Sequence, residues 1–448
     1  MRIPFGISSY DRQRGDLPAL PVINMVAEAA PTEGGETMLQ SRRGLDDRNM
    51  TMGAGPVRQL FKGDLVLSSA LFGVSGGTLY NEAASIGTIA GSGFVSMAGY
   101  STTLFINAGE LIYTWNGSAL ASITFPDTAD VIHIVVAASR LVAIRKDTGK
   151  FYWSDPLETD VEALDFATAE NVPDRALHLL FIDDILVIFG AETVEFWPNT
   201  GSSTLPFQPL EGRVIEKGIR ATGCATGIGS SFAWVTNDNQ VCLGDENTVI
   251  SNAGLQERIE ASAECRLFRF TMGGDDYLAL RIDNETQVYN PRTGQWSEFK
   301  NNGYANWLPQ CFDGGAFGSY ADGMTLEWGS GHTDLDGVLE RRFAAGMVID
   351  GDSKEIFNTA LRCNTGQTPY ASGDYVEPVV ERRASRDGGK TWGNWTGRSL
   401  GQIGEYGRVV RWNGCGLARY PGYLNEFRVT DPVDWRVSAV MVNERYGG

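Results

Sequence analysis

The sequence has few of the residues that build metal and redox sites. Its 448 residues include six cysteines, and the first of them is Cys224. None forms a CxxC pair, and the three histidines, His133, His178 and His332, lie far apart in the sequence. We therefore expect free thiols in a chain made in a reducing cytoplasm, with no zinc site and no cofactor.

Basic residues are also scarce. The chain has 37 Lys and Arg against 55 Asp and Glu, which gives a formal net charge of −18. Sequence-independent binding of nucleic acid needs clustered Lys and Arg to displace counterions, so this charge argues against it. A wall of carboxylates would instead repel phosphate and let a moving DNA duplex pass without adhering.

Long apolar runs are missing as well. No stretch approaches the roughly 18 apolar residues of a membrane span. Residues 1–16 contain three Arg and two Asp and have no apolar core. We therefore expect neither a signal peptide nor insertion into a membrane.

Glycine and aromatic residues are abundant, with 54 Gly, 21 Phe, 15 Tyr and 11 Trp. This composition favours an all-β fold with many turns. From about residue 55 to 330, apolar strands alternate with turns that contain Gly, Asp or Asn. The second strand of each repeat usually ends in an aromatic residue, such as Tyr80, Trp115 or Trp153. These aromatics recur at roughly 33 to 48 residues, the spacing of propeller blades.

We predict from this spacing a β-propeller of six or seven blades, with a pair of β-sandwiches as the alternative. Residues 51–332 would form the propeller, and residues 1–50 an extended N-terminal arm. Residues 333–448 have longer alternating strands, so we predict a smaller antiparallel, sandwich-like β-domain there. Few helices are expected, with a turn or two each in 161–169 and 255–264. His133, inside an apolar strand, is interpreted as a satisfied core residue.

One motif stands out in the predicted C-terminal domain. Residues 385–392 read Ser-Arg-Asp-Gly-Gly-Lys-Thr-Trp and fit the Asp-box pattern at every fixed position. The side chains of Ser385 and Asp387 can accept backbone N–H groups of a tight turn, and Gly388 and Gly389 supply positive φ angles. Trp392 would fold back as an apolar plug. We predict a structural hairpin that uses the side chains of four fixed positions and one glycine: Ser385, Asp387, Gly389, Thr391 and Trp392.

An Asp-box beside a propeller also occurs in sialidases, so a sialidase-like glycoside hydrolase is one alternative. Such an enzyme needs an arginine cluster, a Tyr nucleophile paired with a Glu, and an Asp acid/base. Only one box is present, and no segment of the right type opens the first blade, so we assign no catalytic residue. Asp334 lies in a stretch similar to a calcium loop, but the Glu at its twelfth position is absent. A carbohydrate- or protein-binding propeller is the other alternative.

Several segments carry a resemblance to a known family. They are 20–25 (Leu-Pro-Val-Ile-Asn-Met), 76–80 (Gly-Gly-Thr-Leu-Tyr), 89–98 (Ile-Ala-Gly-Ser-Gly-Phe-Val-Ser-Met-Ala), 109–113, 188–197 and 215–224. In this order they resemble the packaged-DNA stabilisation proteins of short-tailed bacteriophages, which form the tail hub, or nozzle. The chain departs from that pattern at Arg43, since the family tends toward Pro-Gly where this chain has Arg-Gly.

The resemblance implies a virion protein of the tail that is assembled in the cytoplasm of the host bacterium. Members of the family form a ring of six below the portal and the head-to-tail adaptor. The ring closes the channel after DNA packaging and carries tail spikes, fibres or a needle. Double-stranded DNA leaves through its lumen without specific binding. The family has no catalytic residues, so the resemblance implies no enzyme activity.

Overall fold

The computed structural model describes residues 1–11, 19–29, 37–169 and 174–444. In these residues the predicted all-β fold with a β-propeller is confirmed: 41 strands accompany one α-helix, α1, over Ala253–Ala261. Two short 3-10 turns cover Leu67–Ser69 and Pro126–Thr128. The strands before the propeller core are β1 Arg2–Ile3, β2 Val22–Ile23, β3 Met25–Ala29, β4 Thr37–Ser41 and β5 Leu45–Thr51.

The next 27 strands form seven antiparallel units, numbered one to seven along the chain. Unit one contains β6 Val57–Phe61, β7 Phe72–Ser75, β8 Thr78–Asn81 and β9 Ala84–Thr88, and unit two contains β10 Ser96–Tyr100, β11 Thr103–Asn107, β12 Ile112–Trp115 and β13 Leu120–Ser122. Unit three contains β14 Val131–Ala137, β15 Arg140–Arg145, β16 Lys150–Ser154 and β17 Val161–Thr168. Unit four contains β18 Ala176–Ile182, β19 Ile185–Gly190, β20 Val194–Pro198 and β21 Val214–Ile215. Unit five contains β22 Ala225–Ile228, β23 Ser231–Val235, β24 Val241–Leu243 and β25 Thr248–Val249. Unit six contains β26 Cys265–Met272, β27 Asp275–Ile282, β28 Glu285–Asn290 and β29 Gln295–Phe299. Unit seven contains β30 Pro309–Asp313, β31 Ala316–Ser319 and β32 Met324–Trp328.

The seven units close into a ring around one axis. The first strand of each unit contacts the first strand of the next, and β30 of unit seven contacts β6 of unit one. The second strands are the most buried, as in β19, where five of six residues are buried. Each unit is apolar on both faces, so stacking the units about an axis removes both faces from water and leaves only short edges.

Unit seven obtains its outer strand from the start of the chain. β5 pairs with β32, with Leu45 opposite Trp328 and Thr51 opposite Met324. The segment 1–50, expected to be an extended arm, therefore supplies most of a propeller strand. Its earlier strands also pair within the chain, since β2 lies between β29 and β35. Residues 12–18 and 30–36 of the expected arm lie outside the described residues.

The C-terminal part continues with nine strands: β33 Thr333–Asp334, β34 Gly337–Val338, β35 Arg341–Val348, β36 Lys354–Cys363, β37 Val379–Ser385, β38 Thr396–Ser399, β39 Val410–Ala418, β40 Gly422–Val429 and β41 Arg436–Val442. One sheet has the order β3-β4-β41-β36-β39, with β1 on β41. The other has the order β2-β35-β40-β37-β38 and continues the sheet of unit six through β29. One apolar core, which includes Phe343, Trp412 and Trp435, joins strands of both sheets.

One helix prediction is wrong and one is confirmed. Residues 255–264 overlap α1, whose Asn252 side chain accepts the backbone N–H of Leu255 as an N-cap. Residues 161–169 form β17, the outer strand of unit three, rather than a helix. Three of its eight residues are exposed and four are half-buried, and Leu164 is 88% exposed. Pairing with β16 decides the conformation, because a short edge segment follows the strand beside it rather than its own propensity.

Candidate functional site at the propeller axis and the Asp-box

The first strands of the seven units surround a cavity on the propeller axis. In units one, three, four and seven, the pairing of this strand shifts register near its beginning. Such β-bulges turn the following side chain to a new direction. The residues directly after the four shifts are Gln59, His133, His178 and Cys311. The same irregularity occurs in four of the seven units and brings Gln59, His133 and His178 to the axial cavity.

Four side chains from different units meet at one end of this cavity, which we call the closed end because His133 and His178 are buried there. The rings of His133 and His178 have centroids 3.9 Å apart. Phe94 lies 5.8 Å from His133 and 5.9 Å from His178. The guanidinium carbon of Arg266 is 5.1 Å from the centre of the Phe94 ring. Gly223 adopts φ +88°, and a Cβ there would lie 2.4 Å from Phe94, so only glycine admits the ring.

The two histidines are held as neutral rings. The backbone N–H of Leu179 donates to Nδ1 of His133 over 3.4 Å, and that of Gly223 donates to Nδ1 of His178 over 3.3 Å. A nitrogen that accepts cannot carry the proton, so each ring is the Nε2–H tautomer. Burial lowers the pKa of His178 to about 3. Burial, and then the neighbouring His178, lower the pKa of His133 well below its usual value.

Two arginines stand near each other on this side of the axis. Nη2 of Arg266 donates to Oε1 of Gln59 over 2.7 Å. Arg58 donates to the backbone carbonyls of Gly91 over 3.1 Å and Gly93 over 2.5 Å, which fixes the loop that leads to Phe94. Neither guanidinium has an ion pair within the described ranges. Burial lowers the pKa of both, and the charge of Arg58 lowers that of Arg266 further.

The cavity has a volume of about 470 Å³ and extends from this cluster toward the ends of the first strands. Arg269 and Asp313 lie near those ends. Nη1 of Arg269 is 3.6 Å from Oδ2 of Asp276. The Asp313 carboxylate accepts the backbone N–H groups of Lys62 and Gly314, and burial raises its pKa. The charges at this end are therefore satisfied within the chain, in contrast to those at the closed end.

The Asp-box lies between β37 and β38, far from the axis in the strand order. Oγ of Ser385 accepts the backbone N–H of Gly389 over 2.7 Å and donates to Oδ1 of Asp387 over 2.8 Å. Asp387 accepts the N–H of Thr391 over 2.9 Å and its hydroxyl over 2.7 Å. These bonds to Thr391 and Ser385 lower the pKa of Asp387 to about 2. Gly388 and Gly389 have φ angles of +72° and +93°.

Trp392 differs from the expected apolar plug, because it is only half-buried. The guanidinium carbon of Arg383 lies 4.8 Å from the ring centres of both Trp392 and Trp395. Nε of Arg383 also donates to Oε2 of Glu426 over 2.6 Å. A cation between two indole faces, anchored by a carboxylate, explains why these rings stay at the surface.

The described residues contain no group of three or more His, Cys, Asp or Glu side chains that could hold a metal ion. Asp334, considered as part of a calcium loop, has both carboxylate oxygens in bonds to Arg42. All six cysteines are free thiols. The axial cluster therefore offers hydrogen-bond donors and the cations of Arg58 and Arg266, and no carboxylate pairs with either cation within the described residues.

A comparison with known families decides the relationship. The family described as "Bacteriophage P22 Gp10, beta-propeller" matches residues 1–300, which are more than half of the chain. The chain belongs to this family. The matched part includes β1–β29 and the axial residues Gln59, Phe94, His133, His178 and Arg266. The Asp-box and the strands β30, β31 and β32 of unit seven lie beyond it.

A relative within the phage tail hub family is the tail hub protein gp10 of Salmonella phage P22. It is 27% identical over 186 residues, which are 38% of this chain and 39% of the relative. The chain therefore matches less than half of that relative's length. The chain is therefore a member of a bacteriophage β-propeller family and is similar to a tail hub protein.

Two solved structures are similar in shape only. BamB from Moraxella catarrhalis has 11% identity and a TM-score of 0.34, over 68% of this chain and 94% of its own. YCF48 from Cyanidioschyzon merolae has 9% identity and a TM-score of 0.42, over 64% of this chain and 98% of its own. The fold assignment rests on the strand pairing and on the family. Within the described residues, no helix has the length and apolar content needed to cross a membrane.

Proposed function

We propose that this tail hub protein is a subunit of a ring, with six copies by resemblance, attached below the portal and the head-to-tail adaptor. The ring closes the DNA channel after packaging, carries tail spikes, fibres or a needle, and lets the DNA leave through its lumen. The observation that carries the proposal is the family match over residues 1–300. The chain would be assembled in the host cytoplasm, reside in the virion tail and have no catalytic function.

The propeller axis supports one detail of this proposal, the location of the lumen. A cavity of about 470 Å³ with Phe94, His133, His178 and Arg266 at one end cannot admit a duplex. The major groove of B-DNA alone is about 12 Å wide. DNA must therefore pass between copies of the chain, along the outside of the propeller, and the lumen is a product of ring assembly.

The outer edge of unit three is the surface that suits the wall of such a lumen. Residues 155–165 contain five acidic residues and no Lys or Arg. Four of the five are exposed: Asp155, Glu158, Asp160 and Glu162. Fixed negative charge repels the phosphates of a moving duplex, so DNA slides without adhering. We place this edge on the lumen side of the ring, where acidic residues would outnumber basic ones.

Cryo-electron microscopy of the virion tests the assembly. We expect a tapered ring of six copies below the adaptor, with its lumen continuous with the portal channel and residues 155–165 on the inner wall. Isolated copies at fibre tips, or absence of the protein from the virion, would contradict the ring. A lumen lined by Lys and Arg would contradict the acidic wall alone.

Charge reversal tests the acidic wall in function. Phage with Glu158→Lys and Glu162→Lys should assemble normally but release their DNA more slowly, because lysines hold the passing phosphates. The matched control is Asp350→Lys with Asp352→Lys, which makes the same charge change on exposed residues of the C-terminal part. Equal ejection rates for the two double variants would exclude unit three as the DNA-facing surface.

A carbohydrate- or protein-binding propeller without a ring is the second candidate. It shares the fold, so assembly behaviour separates the two. Binding of the purified chain to host surface glycans, together with a monomeric state in the virion, would favour this candidate over the hub.

A further inference from the structure

The closed end of the axial cavity gathers positive charge and hydrogen-bond donors without an acceptor to match them. Arg266 has one hydrogen bond to a protein acceptor, Oε1 of Gln59, and no ion pair within the described residues. A guanidinium has five N–H donors, so most of its hydrogen-bonding capacity is unused by the chain. The whole chain carries a net charge of −18, so carboxylates are abundant elsewhere and the lack of one beside Arg266 is local.

The neighbouring histidines add two more donors. Both Nδ1 atoms accept backbone N–H groups, which leaves both Nε2–H groups for other partners. Neither Nε2 atom has a partner in the part of the chain that the structure describes. Ser96 also lines the cavity, and its Oγ accepts the N–H of Ile134, so its proton is available too. These donors face the cavity, so an acceptor that enters it can form hydrogen bonds with them.

Three of these side chains line the same cavity and surround one aromatic ring. Phe94 contacts His133, His178 and Arg266 within 6 Å of its ring centre. The two imidazole centroids are 3.9 Å apart. The carboxylate of Asp313 lines the same cavity, but it already accepts two backbone N–H groups. Arg269 also lines the cavity, but its guanidinium is already paired with the Asp276 carboxylate. Arg58 adds a second cation near Arg266.

We propose that the closed end of the propeller axis is a binding site for a small oxyanion of the phosphate class. Arg266 supplies the charge, and the Nε2–H groups of His133 and His178 complete the set of donors. Donors on three separate side chains suit a tetrahedral oxyanion, whereas a carboxylate is satisfied by one bidentate arginine. The cavity of about 470 Å³ has the size of ordinary small-ligand sites and could also hold a phosphate group borne on a nucleotide.

The test is calorimetric titration of the purified full chain, in buffer free of phosphate, with inorganic phosphate and separately with thymidine 5′-monophosphate. We expect a dissociation constant of about 1 mM or lower for at least one of them. Binding of phosphate alone assigns the site to the free ion, and binding of the nucleotide assigns it to a phosphate group on a larger molecule. Absence of binding for both overturns the proposal.

Paired variants locate the site. Arg266→Gln keeps a donor for Gln59 but removes the charge, and it should weaken binding by about tenfold or more. Arg269→Gln removes a charge from the same strand β26 and the same cavity, and it should leave binding nearly unchanged because Arg269 lies beside Asp276. Equal losses in both variants would show a diffuse charge effect and overturn the site.

A third variant keeps the test decisive if Arg266→Gln fails to fold. His178→Asn places an amide oxygen where Nδ1 stands, so Gly223 keeps an acceptor while the Nε2–H donor is lost. Binding should weaken by about threefold to tenfold, the range for one neutral hydrogen bond. Binding equal to that of the natural chain would contradict the role of the histidine pair.

Discussion

Arg42 and Asp334 form a buried, bidentate ion pair across 292 residues of sequence. Nη1 donates to Oδ1 over 2.9 Å and Nη2 to Oδ2 over 2.7 Å, and both side chains are almost completely buried. The same carboxylate accepts the N–H of Leu45 and the amide of Asn301. This pair ties the strand entering unit seven to the chain that leaves it.

Asp334→Ala should therefore be strongly destabilising. It leaves the Arg42 guanidinium buried without its counter-charge, and breaking such a pair costs about 3–5 kcal/mol. Urea unfolding monitored by tryptophan fluorescence measures the change. Asp130→Ala is the control, since its pair with Lys146 is exposed and should contribute about 1 kcal/mol or less. A smaller loss of unfolding free energy for Asp334→Ala than for Asp130→Ala would show that the buried pair does not stabilise the closed propeller.

The β5 strand gives a second prediction. Leu45 is fully buried in one apolar core with Phe270, Trp307 and Phe317. Leu45→Ala removes methyl groups from this core and should cost about 2–5 kcal/mol of unfolding free energy. Leu164→Ala, at an 88% exposed position of β17, should change it by about 0.5 kcal/mol or less. Similar values for both would mean that β5 does not close the propeller in solution.

Stability should fall in mild acid because of His178. The pKa of its imidazole is about 3 in the folded chain and about 6.5 in the unfolded chain. Between these two pH values the unfolded chain binds a proton that the folded chain does not bind. The stabilisation is complete above pH 6.5 and is lost progressively as the pH falls toward 3. At pH 5 the loss is about 2 kcal/mol from this one group.

Unfolding free energies at pH 7.5 and pH 5, for the natural chain and for His178→Asn, isolate this contribution. The variant keeps an acceptor for the N–H of Gly223 but cannot titrate, so its stability should change less between the two pH values. His133 remains in the variant and retains a share of the dependence. Identical pH dependence in both proteins would show that His178 is already charged in the folded state.

The Asp387 carboxylate of the Asp-box should make a small contribution to the unfolding free energy, through its bonds within the hairpin. Asp387→Ala removes two bonds to Thr391 and should cost about 1 kcal/mol, as loss of a side-chain cap on backbone N–H groups does. Because the pKa of Asp387 is lowered to about 2, its contribution is present above about pH 3.9 and is lost as the pH falls through 2. Asp374→Ala, an exposed position in the same domain, is the control.

Thermal unfolding at pH 7 and at pH 2 measures both effects. The two variants should differ at pH 7 and differ much less at pH 2, where an Asp387 carboxylate is about half protonated in the folded chain and almost fully protonated in the unfolded chain. A difference that persists unchanged at pH 2 would assign the effect to lost packing rather than to the charged acceptor.

Local patterns predicted the parts of this fold that depend on neighbouring residues. The hairpin repeats, the Asp-box turn and α1 each rest on residues a few positions apart, so their chemistry is readable in order along the chain. The assignment of 161–169 to a helix failed because those residues have weak preferences of their own, and the pairing with β16 determines their conformation.

The sequence by itself determined an acidic, all-β chain with propeller spacing, because strand alternation, turn residues and net charge are local or additive properties. Only the tertiary structure decided that β5 completes unit seven, that Arg42 reaches Asp334, and that His133 and His178 meet at the axis. Each of these depends on ring closure, which brings residues from separate units together. The β-bulges that turn both histidines inward are defined by the pairing of two strands, and neither strand alone encodes them.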